Sequence, residues 1–67
     1  MTKLYFKILD DKEVRDLIKD FQKVSFRGFG FGKEQDRVFS FHFQSESDAD
    51  RALTVARAKN LCLLKGE

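Results

Sequence analysis

The stretch RGFGFGKEQDRVFSFHF, residues 27–43, decides the fold, because it holds two alternating segments joined by a short polar loop. In the first segment glycines alternate with phenylalanines, and in the second phenylalanines alternate with smaller or polar residues. Such a period of two is typical of β-strands. The polar residues KEQD, 33–36, separate the segments. The stretch therefore predicts a β-hairpin with strands at 24–32 and 37–44.

The register of this hairpin decides which side chains face the core. With residues 33–36 as the loop, Gly30 lies opposite Phe39 and Gly28 opposite Phe41, and directly opposed residues share a face. The glycines would then leave room for the opposing rings beneath the helices. We expect this register because even-length hairpin loops are common and because it pairs small residues with large ones.

The same register places the alternate side chains, including Phe29 and Phe31, on the other face of the sheet, which no helix covers. A loop one residue longer or shorter, or a bulge, would reverse the assignment, so that Phe29 and Phe31 would join the core and the glycines would face solvent. The residues predicted to form a binding surface on the open face are Tyr5, Lys7, Arg27, Phe29, Phe31 and His42.

The chain before the hairpin predicts one strand and one helix. Thr2 to Leu9 alternates, with Leu4, Phe6 and Ile8 on one face, which indicates a half-buried strand. Asp10 and Asp11 supply an N-cap with Glu13 placed for a capping box. The apolar residues of 11–23 then recur at the spacing of an amphipathic helix: Val14, Leu17, Ile18 and Phe21.

The chain after the hairpin repeats this pattern in reverse order. Ser45 to Asp48 is a second capping signal, followed by alanines and Leu53 at helical spacing. Asn60 is suited to the left-handed conformation that ends a helix. Residues 61–65 then predict a short last strand.

The predicted order β-α-β-β-α-β is that of the ferredoxin-like plait, an α+β fold. Right-handed crossovers place the first and third strands centrally, in the sheet order 4-1-3-2, with both helices on one face. We expect residues 1–67 to form this single domain, since no linker, repeat or low-complexity segment interrupts them.

Composition excludes several kinds of site. The chain has one cysteine, Cys62, and one histidine, His42, so it predicts neither a disulfide within the chain nor a structural zinc site. We read Cys62 as a small, partly buried residue of the last strand. A single free cysteine and the absence of a signal-peptide pattern predict that the protein resides in the reducing cytoplasm. No apolar run is long enough for a membrane span. The formal charge of +2 permits an anionic partner without requiring one.

The glycine-rich stretch does not fit the phosphate-binding motifs. A P-loop needs a first glycine where Arg27 stands and a hydroxyl where Glu34 stands. The dinucleotide pattern fails as well, because Lys33 occupies the position of the third glycine. We expect no cofactor, and with no paired carboxylates or other catalytic constellation the sequence predicts a non-enzymatic protein.

Two local patterns resemble the RNA-recognition motif family. Residues 4–9, LYFKIL, resemble the hexamer of its first strand, and Phe43, QSESD and ADRAL resemble the spacing between its third strand and second helix. The resemblance implies the plait fold, single-stranded RNA binding on the open sheet face, and a base-stacking position for Tyr5. It also places Val38 and Ser40 where the family usually has aromatic residues.

Two functions from different classes remain open on sequence alone. The first is a module that binds single-stranded RNA or DNA, with Tyr5, Phe29 and Phe31 stacking on bases and Arg27, Lys7 and His42 near the backbone. The second is a protein-interaction module that uses the same face, or the edge of the second strand of the sheet. It would form a homodimer or, as small phage or plasmid proteins do, block a larger protein.

Overall fold

The computed structural model describes residues 2–61 and 63–66. The chain forms an α+β ferredoxin-like plait, as predicted, in which four antiparallel strands make one sheet in the order β2-β3-β1-β4. The elements are β1 (Thr2–Lys7), α1 (Asp11–Val24), β2 (Phe29–Lys33), β3 (Val38–Phe43), α2 (Glu46–Ala58) and β4 (Leu63–Gly66).

Both helices begin at the residues that the capping patterns indicate, and α2 also ends as its sequence indicates. The Asp10 carboxylate accepts the amide of Lys12 at the start of α1 over 2.9 Å, and the Ser45 hydroxyl accepts the amide of Asp48 at the start of α2 over 3.1 Å. Asn60 takes a left-handed conformation, with φ 61°, after α2. The amide of Leu61 then donates to the carbonyl of Ala56, which is a Schellman ending.

The core lies between the helices and one face of the sheet. Leu4, Phe6 and Ile8 are buried on this face, as the alternation predicts. In the sheet Leu4 pairs with Phe41 and Phe6 with Phe39. Phe21 of α1 lies above the sheet and makes edge-to-face contact with Phe41 at a centroid distance of 4.9 Å. Such contacts add to the apolar burial that a chain this short needs. The buried phenylalanines are Phe6, Phe21, Phe39, Phe41 and Phe43.

The predicted hairpin register is wrong. In the structure Phe29 pairs with Phe43 and Phe31 with Phe41, so both rings lie on the helix-facing side. Gly30 pairs instead with His42, and the glycines of β2 lie on the open face. The outcome is the reversed assignment that a bulge or a change of loop length would produce.

The turn explains the reversal. Asp36 and Arg37 both have positive φ, 53° and 66°, and the amide of Val38 donates to the carbonyl of Gln35, as in the primed turns of hairpins. The carbonyl of Val38 accepts from Glu34 rather than from Gln35. Two consecutive residues therefore oppose Val38, which is a β-bulge. The later turn and the bulge together shift the pairing by three residues, and a shift by an odd number reverses the faces.

The remaining differences concern element ends. The helix α1 continues to Val24 and a loop of residues 25–28 follows, so β2 begins later than predicted. The last strand begins at Leu63. The interpretation of Cys62 lies outside the described residues. Among the described residues, neither helix has the length and apolar character needed to cross a bilayer.

Candidate interaction surfaces

One margin of the sheet is formed by β2, and within residues 2–61 and 63–66 no strand pairs with its outer side. We call this side the β2 edge. The amide of Glu34 bonds to Val38, and pairs in an antiparallel ladder alternate between bonded and non-bonded. Gly32 and Gly30 are therefore the next residues bonded to β3. The N–H and C=O groups of the residues between and beside them point outward: Phe29, Phe31 and Lys33.

The pairing of β1 with β3 supports the same assignment of the residues of β2 that bond to β3 and those that point outward. The amide of Ile8 donates to the carbonyl of Arg37 over 3.0 Å. Counting back in twos along that ladder, Phe39 and Phe41 direct their backbone groups toward β1, which leaves Ser40 and His42 to bond with β2. The outward backbone groups of the β2 edge thus belong to residues whose side chains lie on the helix-facing side.

A groove separates the β2 edge from α1. We call it the β2–α1 groove, and Ile18 and Phe31 face it along both of its halves. The ring of Phe31 stacks on that of Phe39 at a centroid distance of 5.7 Å, yet 47% of Phe31 is exposed. The apolar side chains that line the groove are Val14, Ile18, Phe29, Phe31 and Phe39.

Charged side chains stand at one end of this groove. Arg15 and Lys33 line it there together with Asp11. The Arg37 guanidinium lies 2.7 Å from the Asp11 carboxylate, and this hydrogen bond holds the pKa of Asp11 below its usual value. Because Asp11 is already paired, the end of the groove is mainly cationic.

The opposite end of the groove is built by the loop of residues 25–28. Asp48, 1% exposed, accepts a hydrogen bond from the amide of Arg27 over 3.0 Å and is paired with Arg51. The hydrogen bond from Arg27, with the nearby charge of Arg51, keeps the pKa of Asp48 low despite its burial. Gly28 has a φ of 85°, a conformation that favours glycine. The bond to Asp48 thus holds the loop at Arg27, and β2 begins two residues later, at Phe29.

The open face of the sheet carries cations around a covered ring. Tyr5 lies there between Ser40 and Lys65, but only 8% of it is exposed. The Lys65 ammonium is 4.6 Å and the Lys3 ammonium 5.3 Å from the ring centroid. These cation–π contacts place positive charge where a base would have to stack.

The predicted binding residues are brought together only in part. Tyr5, Lys7 and His42 do lie on the open face, because they alternate with buried residues of the two central strands. The placement of Phe29 and Phe31 on that face is wrong, since both rings lie on the other side. Arg27 lies in the loop before β2 and not on a strand.

Sequence reasoning missed the β2–α1 groove and the cation–π contacts over Tyr5. The helical spacing places Ile18 in the core stripe of α1, whereas in the structure it is partly buried at the margin of the core and lines the groove. Lys3 lies opposite His42 and two residues before Tyr5, so the alternation of β1 already indicates its place on the open face.

Among residues 2–61 and 63–66, no three His, Cys, Asp or Glu side chains come together in a way that could hold a metal ion. Comparison with known proteins found no match for this chain among protein-family models, curated proteins or solved structures.

Proposed function

We propose that this chain is a non-enzymatic protein-interaction module that binds an extended segment of protein along the β2 edge. The segment adds a strand to the sheet and places its alternate side chains in the β2–α1 groove. Strand addition of this kind takes affinity from main-chain hydrogen bonds and specificity from pockets for alternate side chains.

The observation that carries this proposal is the joint position of the groove and the outward backbone groups. Phe29, Phe31 and Lys33 present unpaired N–H and C=O groups at the sheet margin, and their side chains border the groove. A strand bonded to them must direct every second side chain over Phe31 and Ile18, since paired residues share a face.

The sequence of β2 does little to block such pairing. Edge strands are normally protected by proline, inward-pointing charge or a covering segment. The strand FGFGK, residues 29–33, has no proline, and its one inward charge, Lys33, and the adjoining bulge stand at one end, so residues 29–32 carry neither form of protection. Its open face carries only glycine, so no side chain hinders an added strand from that side.

The test uses peptides selected from a random heptapeptide display library on the immobilised chain. The selected peptides should carry apolar residues at every second position. Titrated into labelled chain, they should slow hydrogen exchange at the amides of Phe29, Phe31 and Lys33, which gain acceptors. The amides of Gly30 and Gly32 already bond to β3 and should change little.

Matched variants distinguish binding at this surface from non-specific binding. Phe31→Lys should abolish peptide binding, because it puts a charge in the apolar groove. Leu64→Lys changes a residue of nearly equal exposure, 48%, in β4 at the other margin of the sheet, and should leave binding intact. Selected peptides that bind both variants equally well would overturn the proposal.

We propose single-stranded nucleic-acid binding on the open face as a second candidate function. The basic side chains of the open face favour it: Lys3 and Lys65 lie over the Tyr5 ring, and Lys7 and His42 are on the same face of the sheet. Since the ring is covered and Phe29 and Phe31 lie elsewhere, binding would rest on phosphate contacts more than on base stacking, and would be weak and strongly salt-dependent.

The measurement for this candidate is fluorescence anisotropy of labelled oligothymidine at low and at physiological salt. Lys65→Gln should weaken low-salt binding and reduce its salt dependence by about one phosphate contact. Lys12→Gln, on the exposed face of α1, serves as the control and should behave as the wild type. Binding that is absent at low salt, or that responds equally to both substitutions, would dispose of this candidate.

A further inference from the structure

We infer that the segment bound at the β2 edge is the β2 strand of a second copy of this chain, so that two four-stranded sheets join into one continuous sheet across a two-fold axis. This inference rests on the proposed function, which it deepens by naming the partner.

The register of such a pair follows from the outward backbone groups. A two-fold axis at Phe31 pairs Phe31 with itself and Phe29 with Lys33 of the second copy. These are the residues whose N–H and C=O groups point outward, so each of them exchanges both bonds with its partner. Any other symmetric register leaves some of these groups unpaired, which lowers the stability of the pair.

The side chains of the edge are self-complementary in this register. Phe31 would lie against Phe31 of the second copy, with Ile18 of each chain above. The half-exposed ring and the groove of one chain would thus be covered by the same ring and groove of the other. Such contact of a patch with itself defines an isologous dimer interface. On the open face Gly30 would oppose Gly32 of the second copy, where no side chain can collide.

The charges also permit self-association. The chain carries a net charge of only +2, so long-range repulsion between two copies is weak. Lys33 is the one charge of β2, and in this register it faces the ring of Phe29, which can accept it as a cation–π partner. An axis at Phe31 keeps the two Lys33 side chains at opposite ends of the interface.

The first test is sedimentation equilibrium of the full chain over a range of concentrations. The wild type should pass from monomer to dimer mass, and a short edge interface predicts a dissociation constant weaker than about 1 μM. Phe31→Lys and Phe31→Glu should each be monomeric, because like charges meet across the axis. An equimolar mixture of the two should recover dimer, because Phe31 faces its own counterpart. Leu64→Lys should dimerise as the wild type does.

The second test reads the register directly in a mixture of isotope-labelled and unlabelled wild-type chains. Gly30 and Gly32 of the other copy form a non-bonded antiparallel pair, whose α-protons lie close together. Isotope-filtered spectra should therefore show a nuclear Overhauser effect between these protons of different chains.

If the wild type still sediments with the mass of a monomer at about 1 mM, its free energy of association is weaker than about −4 kcal/mol, and the inference is overturned. A dimer that survives Phe31→Lys, or a charge-swapped mixture that stays monomeric, also overturns it. A monomer that still binds selected peptides at the β2 edge leaves the proposed function standing, with a different protein as the partner. A monomer that binds none overturns both.

Discussion

The amide of Arg27 donates a hydrogen bond to the buried carboxylate of Asp48 over 3.0 Å, and this bond joins the loop before β2 to the first turn of α2. The same carboxylate is paired with Arg51, whose guanidinium also donates to the carbonyl of Val24 over 2.8 Å. One acidic side chain thus connects the end of α1, the start of β2 and the start of α2.

Asp48→Asn should lower the stability of the fold, because the amide side chain lacks the charge that Arg51 and the Arg27 amide stabilise. Urea unfolding followed by circular dichroism measures the change at neutral pH. Asp50→Asn alters an exposed carboxylate on the same helix and should have little effect. Equal midpoints for the two variants would show that the buried carboxylate contributes nothing.

The stability difference between wild type and Asp48→Asn should also depend on pH. The pKa of Asp48 is lowered in the folded chain from its usual 3.8, so the stabilisation is fully present above that value and is lost as pH falls through the folded pKa. Unfolding of both proteins across this range should show the difference shrinking below pH 3.8. A difference that stays constant would contradict the lowered pKa.

Gly32→Ala should be less stable than Gly30→Ala by about 1 kcal/mol, because a new Cβ at Gly32 would lie 2.9 Å from the Ser40 hydroxyl, whereas at Gly30 its nearest neighbour is 3.7 Å away. Denaturant midpoints of the two variants provide the comparison. Adding Ser40→Ala should restore much of the loss in Gly32→Ala and so reveal coupling between the two positions. Additive effects would show that the crowding is relieved elsewhere.

Ser25→Ala should stabilise the protein by about 1 kcal/mol, because the Ser25 hydroxyl is buried and has no hydrogen-bond partner among the described residues. The amide of Ser25 keeps its bond to Phe21 in the variant. Thermal and urea unfolding measure the gain, with Ser47→Ala as a control at an exposed serine. A loss of stability would mean that the hydroxyl does contribute a bond in solution.

Asn60→Ala should cost about 1 kcal/mol, because Asn60 adopts a left-handed conformation at the end of α2. Asn60→Gly should be neutral or slightly stabilising, since glycine has no Cβ to clash there. The two variants share the loss of the amide side chain, so their difference in unfolding free energy isolates the backbone effect. An alanine variant as stable as the glycine variant would contradict the Schellman ending.

The fold could be predicted because its signals are local and repeated. Leu4, Phe6 and Ile8 on one face of β1, together with caps at Asp10 and Ser45, fix the strand and helix order without knowledge of distant contacts. Chain order and the handedness of crossovers then leave few arrangements of four strands and two helices.

The candidate site could not be predicted, because it depends on a single turn. The left-handed conformations of Asp36 and Arg37 and the bulge at Val38 move the partner of Gly30 by three residues, from Phe39 to His42. No Asn-Gly or Asp-Gly pair in the sequence indicates this turn. Composition alone does not determine which face of FGFGK, residues 29–33, points toward the helices. Arg27, which the sequence pattern places on the strand, lies instead in the preceding loop, where its amide bonds to Asp48, a residue far along the chain.

The extra residue at the bulge is what leaves the rings of β2 beneath α1. Because Glu34 and Gln35 both oppose Val38, a chain without Gln35 would close the same two-residue turn with no bulge and keep Phe29 opposite Phe43. A slip of β2 by one position would instead expose both rings to water and bring bare backbone beneath α1. The hairpin therefore tolerates a shorter loop better than a strand that slides past its neighbour.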